Sequence, residues 1–100
     1  MVRMDYGSDV FYHEFAEAAL EGWDRWNAEW PYPPYHETGL LVLSGDEIKP
    51  GSFEYESARA LQKRGYGPEW LAMTSNQDRF PAWEEGQYSH GYLSPRAGWV

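Results

Sequence analysis

His13 and Glu17 stand four residues apart, and two such side chains on one helical turn can present two ligands to a metal ion. A third ligand at a fixed spacing is missing, and no HExxH-type pattern accompanies them, so His13 reads as a solvated helix position and no metal is expected. His36-Glu37, at the mouth of a strand, can do acid–base chemistry, although a structural hydrogen bond is the plainer use; His90 is the remaining histidine. Ser44, Ser52 and Ser57 have no nucleophile-elbow context. Gly65-Tyr66-Gly67 lacks the third glycine of a dinucleotide loop and follows a helix, where that loop joins a strand to a helix. With no cysteine in the chain, disulfides, thiol catalysis and thiolate metal sites are excluded. These residues form no complete catalytic set.

The elements that must position them are legible in part. Ser8-Asp9 supplies a helix start, and residues 10 to about 28 carry the helical period. Phe11, Phe15, Ala18, Gly22 and Trp26 make an apolar stripe expected to face the core, with Glu14, Glu17, Glu21 and Asp24 opposite as the wet face. Pro31, Pro33 and Pro34 end the helix. The stretch EWPYPPY (29–35) is either an aromatic platform for sugars, a polyproline ligand, or a stiff connection with rings on the core. Residues 38–44 predict a buried strand closed by Gly45-Asp46. Ser52 caps a second helix to about Arg64, with Glu54 and Glu56 early, Lys63 and Arg64 late, and Gly65 after the end. Residues 70–73 predict a short strand, Thr74 and Gln77 a capping box opening a helical turn or two, and residues 88–93 a last strand. The ending Gly98-Trp99-Val100 either docks back as a strand or marks a cut from something longer.

The chain has 100 residues, enough for one core, and an apolar share dominated by 6 Trp, 8 Tyr and 4 Phe. Its net charge of −8, with Lys63-Arg64 the only adjacent basic pair, argues against nucleic acid and anionic membranes as partners. The longest aliphatic run is Leu40–Leu43, and no leader opens the chain, so a cytoplasmic product is expected. The fold class predicted is α+β, with two main helices packed on a small mixed sheet.

Five stretches in order carry a resemblance: VRMDYGSD (2–9), GWDRWN (22–27), YHETGLLVLSGD (35–46), GSFEYESARALQKRG (51–65), and RFPAW with GYLSPRAGWV (79–83, 91–100). The series resembles the interior of FAD-dependent amine oxidases of the D-amino acid oxidase superfamily, in particular the sarcosine, pipecolate or saccharopine, and fructosyl amino acid oxidases. The resemblance spans nearly the whole chain and implies that residues 1–100 are a single partial domain, a segment of the substrate-binding half of a two-domain flavoprotein oxidoreductase. The implied reaction is oxidation of the C–N bond of a secondary amine or amino acid. It also implies that Arg3, ahead of Met4-Asp5-Tyr6-Gly7, binds the substrate carboxylate through its guanidinium fork. The family's dinucleotide fingerprint has no counterpart here, so FAD is the parent family's cofactor and is not expected on this chain alone. That implies a piece inactive by itself, or one that assembles with flavin-binding chains. A different reading is a stand-alone acidic module that binds protein or glycan through its aromatic surface, as a monomer or by self-association.

Overall fold

The computed structural model describes residues 1–76, 78–82 and 86–100. Asp9 accepts a hydrogen bond from the Tyr12 backbone N–H at 3.2 Å and opens helix α1, Val10–Glu29. Trp30, in an extended conformation ahead of Pro31, closes it. The face that α1 turns inward differs from the expected one. His13 and Leu20 are buried, with Ala16, Glu17, Trp23 and Asn27 half-buried beside them. Phe11 and Phe15 are 68% and 69% exposed, and Ala18 and Trp26 are also exposed. The acidic stripe is drawn partly inward because cations meet it there: Arg64 pairs with Glu17, and Arg96 pairs with Asp24 at 2.8 Å.

Helix α2, Phe53–Lys63, is capped by Ser52, whose hydroxyl accepts the Tyr55 N–H at 3.2 Å. Gly65, at φ +86°, takes the left-handed position after its end, a conformation other residues adopt only with strain. Ser57, Ala58 and Leu61 form its buried side.

Among the described residues five strands follow one another: β1 His36–Glu37, β2 Leu40–Ser44, β3 Glu69–Ala72, β4 His90–Ser94 and β5 Gly98–Trp99. β2, β4 and β3 form one sheet in that order, with Val42 and Trp70 both opposite Tyr92. β1 and β5 form a separate ribbon. Every pairing between these strands is antiparallel. β2 starts at Leu40, later than the predicted Thr38, because Gly39 turns the backbone to φ +82°. The expected turn after β3 is a single 3-10 turn, Met73–Ser75; the second half of its capping box, Gln77, lies outside the described residues.

The C-terminal residues dock back onto the fold as a strand. Val2 and Gly98 exchange backbone hydrogen bonds, both at 2.9 Å, and Trp99 pairs with His36. A Cβ on Gly98 would lie 1.9 Å from the His36 carbonyl oxygen, so only glycine permits this approach. The core joins Met4, Leu20, Tyr35, Ala58, Leu61 and Tyr92, drawn from α1, α2, β4 and the segments that lead into α1 and β1. The architecture is thus α+β, two helices on a small sheet. It is also a slab, 43 × 29 × 18 Å. No helix among the described residues is long and apolar enough to cross a membrane.

Candidate functional site

Residues 2–7 run beneath the N-terminal half of α1 and divide their side chains between two environments. Met4 and Asp5 are fully buried, while Arg3 and Tyr6 are half-buried. Arg3 and Tyr6 join Tyr12, Phe15 and Trp23 of α1 in lining an open cavity of about 230 Å³. The Arg3 guanidinium carbon lies 5.9 Å from the centroid of the Tyr6 ring, a cation–π distance. Tyr6 in turn stacks on Tyr12 at 5.8 Å. Among the described residues Arg3 has no carboxylate partner, whereas Arg64, Arg79 and Arg96 are all paired. A guanidinium that makes no salt bridge, set among aromatic walls, suits a carboxylate attached to an apolar body.

A buried polar centre lies on the inner side of the same segment. The Tyr92 hydroxyl donates to Asp5 Oδ1 at 2.7 Å, and the Gly7 N–H donates to Ser57 Oγ at 2.7 Å. Asp5 Oδ2 and both ring nitrogens of His13 have no hydrogen-bond partner among the described residues. Burial pushes the Asp5 carboxyl above its ordinary range, against the opposing pull of the Tyr92 hydrogen bond and the charge of Arg3. Burial also lowers the His13 pKa, as does the nearby Arg64 charge. Tyr92 is pushed up by burial and by its bond to Asp5. Burial thus works against the charged form of both groups. At 1% exposure His13 is the opposite of the solvated position expected from the sequence, because the inward face of α1 is the one that carries it.

Glu17, one helical turn from His13, is engaged from beyond the end of α2. Glu17 accepts hydrogen bonds from Nε and Nη2 of Arg64, at 3.2 and 3.0 Å, and from the Tyr66 hydroxyl. These bonds pull the Glu17 carboxyl down to about 2, and burial with the same contact pushes Tyr66 up to about 12. His36 stacks on Trp99 with ring centroids 4.0 Å apart. His90 Nδ1 lies 2.8 Å from Ser89 Oγ at the start of β4. Among the described residues no three His, Asp or Glu side chains are grouped so as to hold a metal ion.

The proline-rich connection divides between its possible uses. Tyr35 is buried in the core, and the Asn27 side chain pins it by accepting from the Tyr35 N–H at 2.9 Å and donating to the Tyr35 carbonyl at 2.8 Å. Tyr32 is exposed, and Trp30 stacks on Trp26 at 5.7 Å.

Gly65 and Gly67 do not stand where a dinucleotide loop does. Gly65 and Gly67 lie beyond the C-terminal end of α2 and lead into β3. Free carbonyls and the negative end of the helix dipole gather there, the reverse of what a pyrophosphate requires. Comparison with known proteins adds no identity: no family model, curated protein or solved structure matches the chain.

Sequence reasoning placed Arg3 by resemblance alone and missed Asp5 and Tyr92. Those two are 87 positions apart, and no spacing connects them.

Proposed function

We propose that the chain is the substrate-carboxylate-binding part of an FAD-dependent amine oxidase, and that Arg3 is the residue that holds the carboxylate. The observation that supports this is the Arg3 guanidinium, in no salt bridge among the described residues, lining a cavity walled by Tyr6, Tyr12, Phe15 and Trp23. The order of sequence stretches that resembles the amine oxidases supplies the substrate class: a secondary amine or amino acid whose carboxylate lies on Arg3 and whose apolar part lies on the rings. The reading assigns the chain binding and no redox step, since no dinucleotide fingerprint is read in its sequence.

The test is a titration of the purified chain with sarcosine, pipecolate and phenylacetate, followed by the NMR signals of Arg3, Tyr6, Tyr12 and Trp23. Saturable shifts confined to these residues are expected in the millimolar range, and Arg3→Ala abolishes them. Shifts that persist unchanged in Arg3→Ala, or none at all with any of the three carboxylates, overturn the reading.

A second reading, a protein-interaction module, is favoured by one observation: the outer face of α1 exposes Phe11, Phe15, Trp26 and Trp30 together. Concentration-dependent mass is its measurement.

A further inference from the structure

A hollow of about 280 Å³ lies at the end of the three-stranded sheet, where β3 and β4 meet the loop that leaves β2. Ile48, Trp70, Leu71 and Ala72 give it apolar walls, Glu47 and His90 are its polar side chains, and no lysine or arginine lines it. Ala72 stands opposite His90 in the register, and residues two apart on a strand share a face, so Trp70, Ala72 and His90 lie on one side of the sheet. The Trp70 ring is flanked by Tyr55 and Tyr92, with centroids 6.1 and 5.6 Å away, and is still 45% exposed.

Hydrogen bonding fixes what His90 can offer. Ser89 is anchored by its backbone: its N–H donates to the Ser44 carbonyl at 3.1 Å, and its own carbonyl accepts from the Met73 N–H at 3.0 Å. Its hydroxyl has one proton, and the Gly45 carbonyl oxygen, 3.1 Å from Ser89 Oγ, can only accept it. The His90 Nδ1, 2.8 Å from the same Oγ, is therefore the donor in that contact. A neutral imidazole with its proton on Nδ1 has a bare lone pair on Nε2. The other polar group, Glu47, is exposed and makes no salt bridge among the described residues. Both polar groups of the hollow are thus acceptors, one of them charged, beside an indole whose face attracts cations.

We infer that this hollow is a binding site, separate from the Arg3 cavity, for a small organic ammonium: an amine with one ring or a short apolar arm and no carboxylate. The ammonium N–H groups donate to Glu47 and to His90 Nε2, its charge is shared between Glu47 and the Trp70 ring, and its apolar part lies on Ile48 and Leu71. A ligand carboxylate would meet the charge of Glu47 with no cation in the lining to offset it, the reverse of the arrangement at Arg3. The volume is just below the range of pockets that take drug-sized ligands, which limits the occupant to about one ring. The net charge of −8 draws cations toward the chain from a distance.

The test is a titration of the whole chain with benzylammonium chloride at neutral pH, followed by the NMR signals of the Trp70 indole N–H, with benzyl alcohol as the uncharged probe of similar shape. Expected is saturable binding with Kd on the order of 1 mM, at least about fivefold tighter than benzyl alcohol and weakening as salt rises. Glu47→Gln alters an exposed side chain with no salt bridge, so the fold persists, and it brings benzylammonium down to the level of benzyl alcohol. His90→Phe keeps a ring in β4 but removes the acceptor, and it weakens benzylammonium more than benzyl alcohol. Equal affinity for the two probes, an unchanged Kd in Glu47→Gln, shifts at Tyr12 and Trp23 in place of Trp70, or no shift at all each overturns the proposal. Arg3 does not line this hollow, so the carboxylate reading and this one fail separately.

Discussion

Glu17 on α1 receives two hydrogen bonds from Arg64, just past α2, and a third from Tyr66, joining the two helices through an acid on the stripe expected to be wet. The carboxyl is held down to about 2, so folding favours its ionised form. The stability it contributes is present above the ordinary carboxylate range and is lost as pH falls toward that value. Both side chains are partly solvent-exposed, which screens the pair and limits its worth. Glu17→Gln is expected to lower the melting temperature by about 3 °C at pH 7, and the difference from the parent should vanish near pH 2. A difference that is constant from pH 2 to 7 would show that the carboxylate charge is not what joins the helices.

Asp5 and His13 depend on pH in opposite directions. Burial raises the Asp5 pKa above its unfolded 3.8, so its favourable contribution is present below that value and is lost as pH rises through the folded one. His13, lowered from 6.5 by burial and by Arg64 against the opposing charges of Glu17 and Asp5, contributes above 6.5 and loses that contribution as pH falls through its folded value. Asp5→Asn keeps an acceptor for the Tyr92 hydroxyl and cannot ionise. It should therefore be more stable than the parent at pH 8 and closer to it at pH 4, measured by urea denaturation. Tyr92→Phe removes the hydrogen bond instead and leaves a buried carboxyl unpaired, costing about 2 kcal/mol at neutral pH.

How far the sequence predicts this molecule depends on whether the deciding forces are local. Ser52, Glu54, Glu56, Lys63 and Gly65 act within one turn of α2, and its bounds are met within a residue. The extent of α1 is equally legible from Asp9 and Pro31, but not its direction of facing. Both sides of α1 carry apolar residues, and the choice between them is made by Arg64, Tyr66 and Arg96, distant in sequence and each bonded to an acid on the inner side. The two-residue strands β1 and β5 are too short to show a period, and their pairing rests on the contact of Val2 and His36 with the far end of the chain. At the candidate site, Arg3 could be named from a resemblance, whereas of the rings lining its cavity only Phe15 stands on a stripe read from the sequence, and that stripe is the one expected in the core.

The β1–β5 ribbon is sensitive to a single carbon. Gly98→Ala places a Cβ against the His36 carbonyl oxygen and forces the strands apart, costing about 1–3 kcal/mol. Separation also moves Trp99 off the His36 ring, so the His36 ring protons should lose the upfield shift that a stacked indole causes. Gly65→Ala is a useful contrast: nothing lies within 4 Å of the added carbon, and its cost of about 1 kcal/mol comes from the left-handed backbone alone. That variant should leave the His36 signals unmoved. If both variants shift them equally, the ribbon is responding to general loss of stability and not to the local clash.

Asn27 fixes how the proline-rich connection leaves α1, since its side-chain amide completes both backbone hydrogen bonds of Tyr35 as a peptide group would. Tyr35 is a core residue, so freeing its backbone loosens the ring between Met4 and Tyr92 as well as the loop. Asn27→Ala leaves one N–H and one carbonyl without their partner and should cost about 2 kcal/mol. Asn27→Asp tests the geometry more finely. It keeps an acceptor for the Tyr35 N–H but turns the donor into a second oxygen facing the Tyr35 carbonyl, so at neutral pH it should be at least as damaging as the alanine. Lowering the pH to protonate that aspartate restores a donor, and the aspartate variant should then recover relative to the alanine variant when both are followed by chemical denaturation. Parallel loss in the two variants at every pH would mean that the amide contributes packing only, and that the rigidity of Pro31, Pro33 and Pro34 alone sets the path to β1.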